Sequence, residues 1–419
     1  MLNQIMLKRI KRTKLIQLIR TKLPEVWRVR LGDLVRLLNF VVYRRFYKKK
    51  LLALFPAFSF FFRDNLSGKK RILGIWNFAT TPPTIGVFIE FQMRLLCMAH
   101  VHDADKIDFA FIYDPAKPVV SDKYKWVNFR NFHYHFIEMY PMLNINPRLG
   151  SVFIFDSHNE FESFLVQNSG RYITHPNFFA YVNGSDSRPN FNFIRDFYLK
   201  KGFLPKFEFR QATLNWGRAF VKKYLSGKFM VTVGIRFNFA YTPQRNSNLK
   251  AWQDLFEHCF QKYPDVVFVV LARRNEWREI TERIKLPPNV IFSKDYNTNI
   301  EQDLVLIELS LFYMATIFGP ASFPFLTQYI PFVMLQFTNP EPVFDFSWLK
   351  KGDSFPWQDG RLQRLVWEPE DNHVLIREFE RLLKEVDKNR WTERLDLKTA
   401  DERALEWPFD SRGQKTNEL

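Results

Sequence analysis

Beyond residue 70, short apolar runs alternate with stretches of helical periodicity, the pattern of strands and helices laid down in turn as parallel α/β layers. The first half reads as strand RILGIWNF (71–78), a polar loop ATTPPTIG, a helix over 87–99 and strand IDFAFIYD (107–114). A long aromatic-rich connection leads to a further strand, SVFIFD (151–156). The second half is more regular. Strand KFMVTVGIRF (228–237) runs through the polar loop NFAYTPQRNSN into a helix whose apolar face is Trp252, Leu255, Phe256, Cys259 and Phe260, at spacings i, i+3, i+4, i+7 and i+8. Either Ser247 or Asn248 can cap it. Strand DVVFVVLA (265–272), a polar helix from near Glu276 and strand NVIFS (289–293) come next. A helix through QDLVLIELS, strand MATIFG (314–319), a helix from Ser322 and strand PFVMLQF (331–337) complete the sheet, and NHVLIREFERLLKEV (372–386) adds an amphipathic helix.

This pattern predicts an α/β protein of two Rossmann-like domains facing a cleft, preceded by a basic amphipathic helical leader. The boundaries fall at 1–70 for the leader, 71–215 and 216–370 for the two domains, joined near residues 202–227, and 371–419 for a C-terminal helix and polar tail. Sheets of this type bind ligands beyond the carboxyl ends of their strands, so the polar residues just after each strand are the first candidates for chemistry.

Composition narrows the picture. With 46 Phe against 15 Gly, the core is large and aromatic and few positions are free to take positive φ. Cys97 and Cys259 are too few for a disulfide framework and lack partners at metal-finger spacing, which fits a reducing compartment. No GxGxxG and no GxxxxGK[ST] is present, so a dinucleotide dehydrogenase or P-loop ATPase has no support.

The net charge of +17 is concentrated at one end: residues 1–70 hold 18 Lys+Arg against 3 Asp+Glu, leaving 43 and 41 for the rest. The body is nearly neutral, so nucleic acid is not an expected partner. In the leader, MLKRIKRTKLIQLIRTK and LVRLLNFVV interleave cations with apolar residues at helical spacing, and LLALFPAFSFFF (51–62) forms a largely apolar run. Twelve residues of helix rise roughly 18 Å, short of the ~30 Å hydrocarbon core, and the run sits too far into the chain for a signal peptide. Residues 1–70 are therefore expected to lie in the plane of an anionic membrane surface, placing the protein in the cytoplasm on the inner face of the membrane.

Two constellations carry candidate chemistry. In DLVLIELSLFYMATIFGPASFPFLTQYIPFVMLQF (303–337), the turn Gly319, Pro320, Ala321 and Ser322 is expected to set backbone N–H groups at a helix start, where phosphate is stabilised. In VGIRFNFAYTPQRNSN, Arg236 ends a buried strand, an expensive place for a guanidinium without a counter-anion, and its fork suits phosphate. Asn238, Arg245, Asn246 and Ser247 accompany it, and Arg273 and Arg274 follow the next strand.

The helix, hydrophobic strand, small-residue turn and helix of residues 303–337 resemble the donor-binding region of GT-B glycosyltransferases, particularly the heptosyltransferase-like and fucosyltransferase-like branches. The likeness extends over about 228–340, and over 71–160 in the order of strands and helices only; Phe323 and Pro324 stand where the family's turn has a second glycine. The resemblance implies metal-independent transfer of a sugar from a nucleotide-sugar donor, a substrate rather than a cofactor, to a glycan or lipid-linked acceptor, as in surface polysaccharide biosynthesis. It makes the first domain the acceptor domain and the second the donor domain. Arg236, Asn238, Arg245, Gly319, Pro320, Ala321 and Ser322 then bind the donor, and Arg236 neutralises the leaving diphosphate. Thr80, Thr81 and Thr84, with Gly86 in the same loop, face the acceptor.

Transfer with inversion also needs a group that takes the acceptor's proton, and Asp156 or His158 after strand 151–156 is the expected base. His133 and His135 are read as sharing one face of a strand through aromatic packing or a partner surface. HVHDAD offers His100, His102, Asp103 and Asp105 as a metal set with a DxD spacing, but it falls between a helix and a strand, at the face opposite the cleft, so no metal site is expected. The alternatives are a nucleotide-sugar epimerase of the same fold and a non-catalytic membrane-bound interaction protein.

Overall fold

The structure, a computed structural model, describes residues 71–405 apart from 82, 116–131, 169, 178–179, 182–190, 226, 240–242, 337–347, 398–399 and 401. The leader expected over 1–70 and the tail beyond Asp410 lie outside the described residues.

The first lobe opens with strand β1 (Arg71–Asn77), helix α1 (Ile85–Val101) and strand β2 (Ile107–Ile112). Helix α2 (Phe132–Met139) and a 3-10 segment (Tyr140–Ile145) lead to β3 (Leu149–Phe155), α3 (His158–Gln167) and β4 (Tyr172–His175). Helices α4 (Phe191–Lys201) and α5 (Gln211–Leu225) connect to the second lobe. There β5 (Phe229–Gly234), α6 (Leu249–Lys262), β6 (Val266–Leu271), α7 (Arg274–Arg283) and β7 (Val290–Phe292) follow one another, then a 3-10 turn (Ser293–Tyr296), α8 (Ile300–Leu309) and β8 (Phe312–Thr316). A second 3-10 turn (Gly319–Ala321) runs into the single turn α9 (Ser322–Phe325), before β9 (Phe332–Leu335), β10 (Gln363–Leu365), α10 (Asn372–Glu385) and α11 (Lys388–Leu395).

Among the described residues these strands form two sheets, ordered β3-β2-β1-β4 and β10-β9-β8-β5-β6-β7, with parallel pairing throughout. The reason is visible in the central strands. VVFVVL of β6 and IDFAFI of β2 are buried along their whole length, as strands covered by helices on both faces must be. Edge strand β3 is only partly buried.

Helix α6 forms as its periodicity requires: Trp252, Leu255, Phe256 and Cys259 are buried, and the Asn248 side chain caps it by accepting from the Ala251 N–H. Phe260, assigned to the same apolar face, is instead 46% exposed. Eight residues on from Trp252, it lies about 80° around the helix, off the face that meets the sheet.

Residues 202–227, read as a junction, contain the 15-residue helix α5. Its Gly217 lies so close to α8 that a Cβ there would meet Leu309 Cδ1 at 2.6 Å and Val305 Cγ1 at 3.1 Å. The helix therefore packs on the second lobe, and the boundary expected at 215/216 falls within it. Helix α10 belongs to the same lobe, since the Phe379 ring sits 5.6 Å from both Phe268 of β6 and Phe312 of β8.

The two lobes share a continuous core that runs from Ile72 and Trp76 to Phe332 and Leu335. An aromatic seam joins them: Phe207 and Phe209 meet Phe323, and Phe191 meets Phe325 and Phe355. At one point the backbones nearly touch. A Cβ on Gly86 would lie 2.8 Å from Ser322 Oγ and 3.2 Å from Gly319 O, and one on Gly319 would lie 3.3 Å from Gly86 N. Glycine on both sides lets the start of α1 press against the turn of the facing lobe.

Candidate active site

A cavity of about 600 Å³ opens between the lobes beyond the carboxyl ends of β5, β6 and β8. The first lobe lines it with Thr84, Gly86 and Glu90 of α1 and its cap, and with Glu138 of α2. The second contributes Arg236, Asn238 and Arg245 from the loop after β5, Arg273 and Glu276 at the start of α7, Lys294 and Asp303 around the start of α8, and Gly319, Pro320 and Ser322.

The loop after β5 folds back on itself. Arg236 is buried at 7% exposure, and its Nη1 donates to Asn246 Oδ1 at 2.8 Å, which also accepts from the Asn238 N–H at 2.8 Å. The Arg236 N–H in turn donates to Ser247 Oγ at 3.1 Å. Arg245 Nη2 donates to the Ile317 carbonyl at 2.6 Å, tying the loop to the end of β8. Two guanidiniums are thus brought to one wall of the cavity from opposite ends of a ten-residue loop. Glu276 fixes the next layer: it accepts from the Phe237 N–H at 3.4 Å and from Asn238 Nδ2 at 3.2 Å. Burial pushes its carboxyl up from the usual range, opposed by Arg273, these donors and Arg236.

The turn at Gly319 departs from expectation. Ser322 begins a helix of only four residues, and two amides of the turn are already used, Ala321 N–H on Phe318 O and Ser322 N–H on Gly319 O. Pro320 and Pro324 remove two further donors from the run. The turn therefore offers fewer N–H groups than a full helix start and little dipole for phosphate. Ala321 is buried and does not line the cavity. Ser322 instead reaches across to the first lobe, its Oγ donating to Glu90 Oε1 at 3.0 Å.

Glu90 is a residue that the order of strands and loops did not single out. It is 2% exposed on α1, and burial pushes its carboxyl up to about 8, with the Ser322 hydroxyl and the charge of Arg245 holding it from going further. One signal was available: a lone carboxylate in the apolar helix VFIEFQM has no reason to be there unless something polar meets it. Lys294 was also passed over, although it follows β7 directly; it donates to Asp303 Oδ2, whose Oδ1 accepts from Thr298 at 2.6 Å.

The expected bases lie elsewhere. Asp156 is exposed and neither it nor His158 lines the cavity. His158 is buried with both ring nitrogens engaged, Nδ1 with Asp114 Oδ2 at 2.8 Å and Nε2 with Asn77 Nδ2 at 3.1 Å. Because Asn77 Oδ1 accepts from the Ala79 N–H, its amide nitrogen faces Nε2 as a donor, while Nδ1 faces the Asp114 carboxylate. No lone pair is left for a substrate proton.

Of the threonines, Thr84 lines the cavity with a buried Oγ1 that has no protein partner among the described residues. Thr80 donates to Asn77 O and Thr81 is fully buried, so both serve the turn after β1. His133 and His135 sit on helix α2 rather than a strand, which separates them by about 200° around its axis. Arg273 lies 3.9 Å from Glu138 across the cavity mouth, and Arg274 begins α7. His100 to Asp105 occupy the end of α1 and the approach to β2, at the amino end of the sheet.

No family model matches the chain, and no curated protein matches it. Among solved structures it is similar to a glycosyl transferase family 9 protein from Veillonella parvula, at 12% identity over 79% of this chain and 98% of that one, with a TM-score of 0.45. It is similar also to the E. coli ADP-heptose lps heptosyltransferase II, at 11% identity over 75% and 99%, TM-score 0.49. A third likeness is to the wall teichoic acid polymerase TagF, at 12% identity over 92% and 97%, TM-score 0.30. The fold is GT-B-like. That statement rests on the chain's own two parallel α/β lobes and the cleft between them.

Proposed function

We propose that this protein is a glycosyltransferase that takes a nucleotide sugar as donor. One observation carries the reading: two guanidiniums, Arg236 held by Asn246 of its own loop and Arg245 by the Ile317 carbonyl, stand at the wall of a cavity between twin α/β lobes. A diphosphate leaving group carries concentrated charge, and arginine forks at the carboxyl end of a parallel sheet match it in charge and geometry. In this reading Arg236 and Arg245 bind the diphosphate and stabilise it as it leaves, Asn238 and the Gly319–Ser322 turn shape the donor side, and Thr84 faces the acceptor from the first lobe.

The reaction needs no resident metal if the two arginines take the developing charge. The acceptor would be a glycan or a lipid-linked glycan, because the cationic leader of residues 1–70 suits attachment to an anionic cytoplasmic membrane face. A thermal-shift screen against UDP, GDP, ADP, CDP and TDP and their hexose conjugates tests the donor assignment. At least one should raise the melting temperature, since a ligand that binds only the native state stabilises it by RT ln(1 + [L]/Kd). No shift with any of them would remove the reading.

A further inference from the structure

We propose that Glu90 is the catalytic base of this site, the group that takes the proton from the acceptor hydroxyl; the inference rests on the glycosyltransferase reading above. Four carboxyls line the cavity, and their contacts differ. Asp303 has both oxygens occupied, by Lys294 and Thr298. Glu276 is bonded to the Phe237 amide and the Asn238 side chain, which hold the arginine loop. Glu138 is 56% exposed at the mouth beside Arg273 and His135. Glu90 is buried, reaches the cavity from the lobe opposite Arg236 and Arg245, and among the described residues has one oxygen engaged, Oε1 with Ser322, a combination that none of the other three has.

That placement matches the requirement of displacement at a sugar carbon. The acceptor oxygen attacks the anomeric carbon as the bond from that carbon to the diphosphate oxygen breaks. The electron pair of the broken bond leaves with the diphosphate, against Arg236 and Arg245. The acceptor's proton passes to Glu90, which must be on the other side of the sugar from the leaving group. Ser322 is a positioning residue: its hydroxyl fixes the carboxyl and favours the ionised form. The charged group facing Glu90 from the other lobe is Arg245, while Arg94, one turn along α1, lies over the Phe193 ring instead.

The test uses the full chain, with nucleotide-linked hexoses as donors and water or added glycan as acceptor. Wild-type turnover should rise with pH and level off above about 8. Glu90→Gln keeps the shape and still accepts from Ser322; it should lose about 10²–10⁴-fold in rate, lose the pH limb, and bind nucleoside diphosphate within about threefold of wild type. Ser322→Ala should keep the limb but move it to higher pH. Equal rates for Glu90→Gln and wild type, or a variant that retains the limb, would overturn the assignment while leaving the enzyme reading intact. Loss of diphosphate binding together with rate would make Glu90 a structural latch and overturn it too. Absence of turnover by the wild type with every donor would overturn both.

Discussion

Arg236 is a guanidinium at 7% exposure whose Nη1 is held by Asn246 at the wall of the cavity, where an arginine fork can meet a diphosphate. Arg236→Ala should therefore weaken nucleoside diphosphate binding by about 10²–10³-fold, the scale of one removed charge-stabilising donor. Arg236→Lys should recover part of that charge but not the fork, leaving an intermediate affinity by calorimetric titration. The buried carboxyls give a second residue-level expectation. Burial pushes Glu308 up to about 7, with Arg394, the Tyr329 hydroxyl and Lys206 opposing it, as burial pushes Glu90 up to about 8. Both folded values lie above 4.5, so the folded state binds more protons than the unfolded one between 4.5 and the folded value. The stability that each contributes is thus complete below pH 4.5 and lost as pH rises through about 7 and 8. Melting temperature should fall as pH rises from about 4.5 to about 8, and less steeply for Glu308→Gln than for wild type.

At the scale of single elements, the contact of α1 with the 319–322 turn decides how closely the lobes meet. Gly86→Ala gains up to about 1 kcal/mol of helix propensity but sets a methyl against Ser322 Oγ and the Gly319 carbonyl. Overpacking of this kind costs about 1–3 kcal/mol, so the variant should be less stable in denaturant titration, and the Ser322 to Glu90 bond should be displaced with it. Helix α6 supplies a simpler case. Asn248 both caps the helix and donates from Nδ2 to the Glu370 carbonyl at 3.0 Å, so Asn248→Ala should cost about 1–2 kcal/mol in the same titration.

For the whole molecule, the charge distribution predicts a separation of roles. The body carries 43 basic and 41 acidic residues and the leader 18 and 3, so chain lacking residues 1–70 should keep its nucleoside diphosphate binding. It should no longer pellet with vesicles containing anionic lipid, and full-length chain should lose that binding as salt is raised. Retained sedimentation by the shortened chain would assign the membrane surface to the body instead.

The order of elements was legible because parallel strands covered on both faces are written as nearly continuous apolar runs: VVFVVL, MVTVG and FYMAT each appear where the sheet needs them. The rule that polar residues after a strand are the first candidates for chemistry picked Arg236, Asn238 and Arg245, which line the cavity. It did not find Glu90, which lies within a helix, and it placed weight on His158, whose two nitrogens prove to be spent on Asp114 and Asn77. Helix α5 was missed because its apolar face, Trp216, Phe220 and Val221 among polar neighbours, marks a helix only once α8 is there to receive it. Local periodicity and charge thus set the two lobes and the cationic leader, since each depends on neighbours in the chain. Which carboxyl is held dry, and which serine of the facing lobe meets it, depends on residues 232 apart in sequence being packed together, and only the tertiary structure decides that.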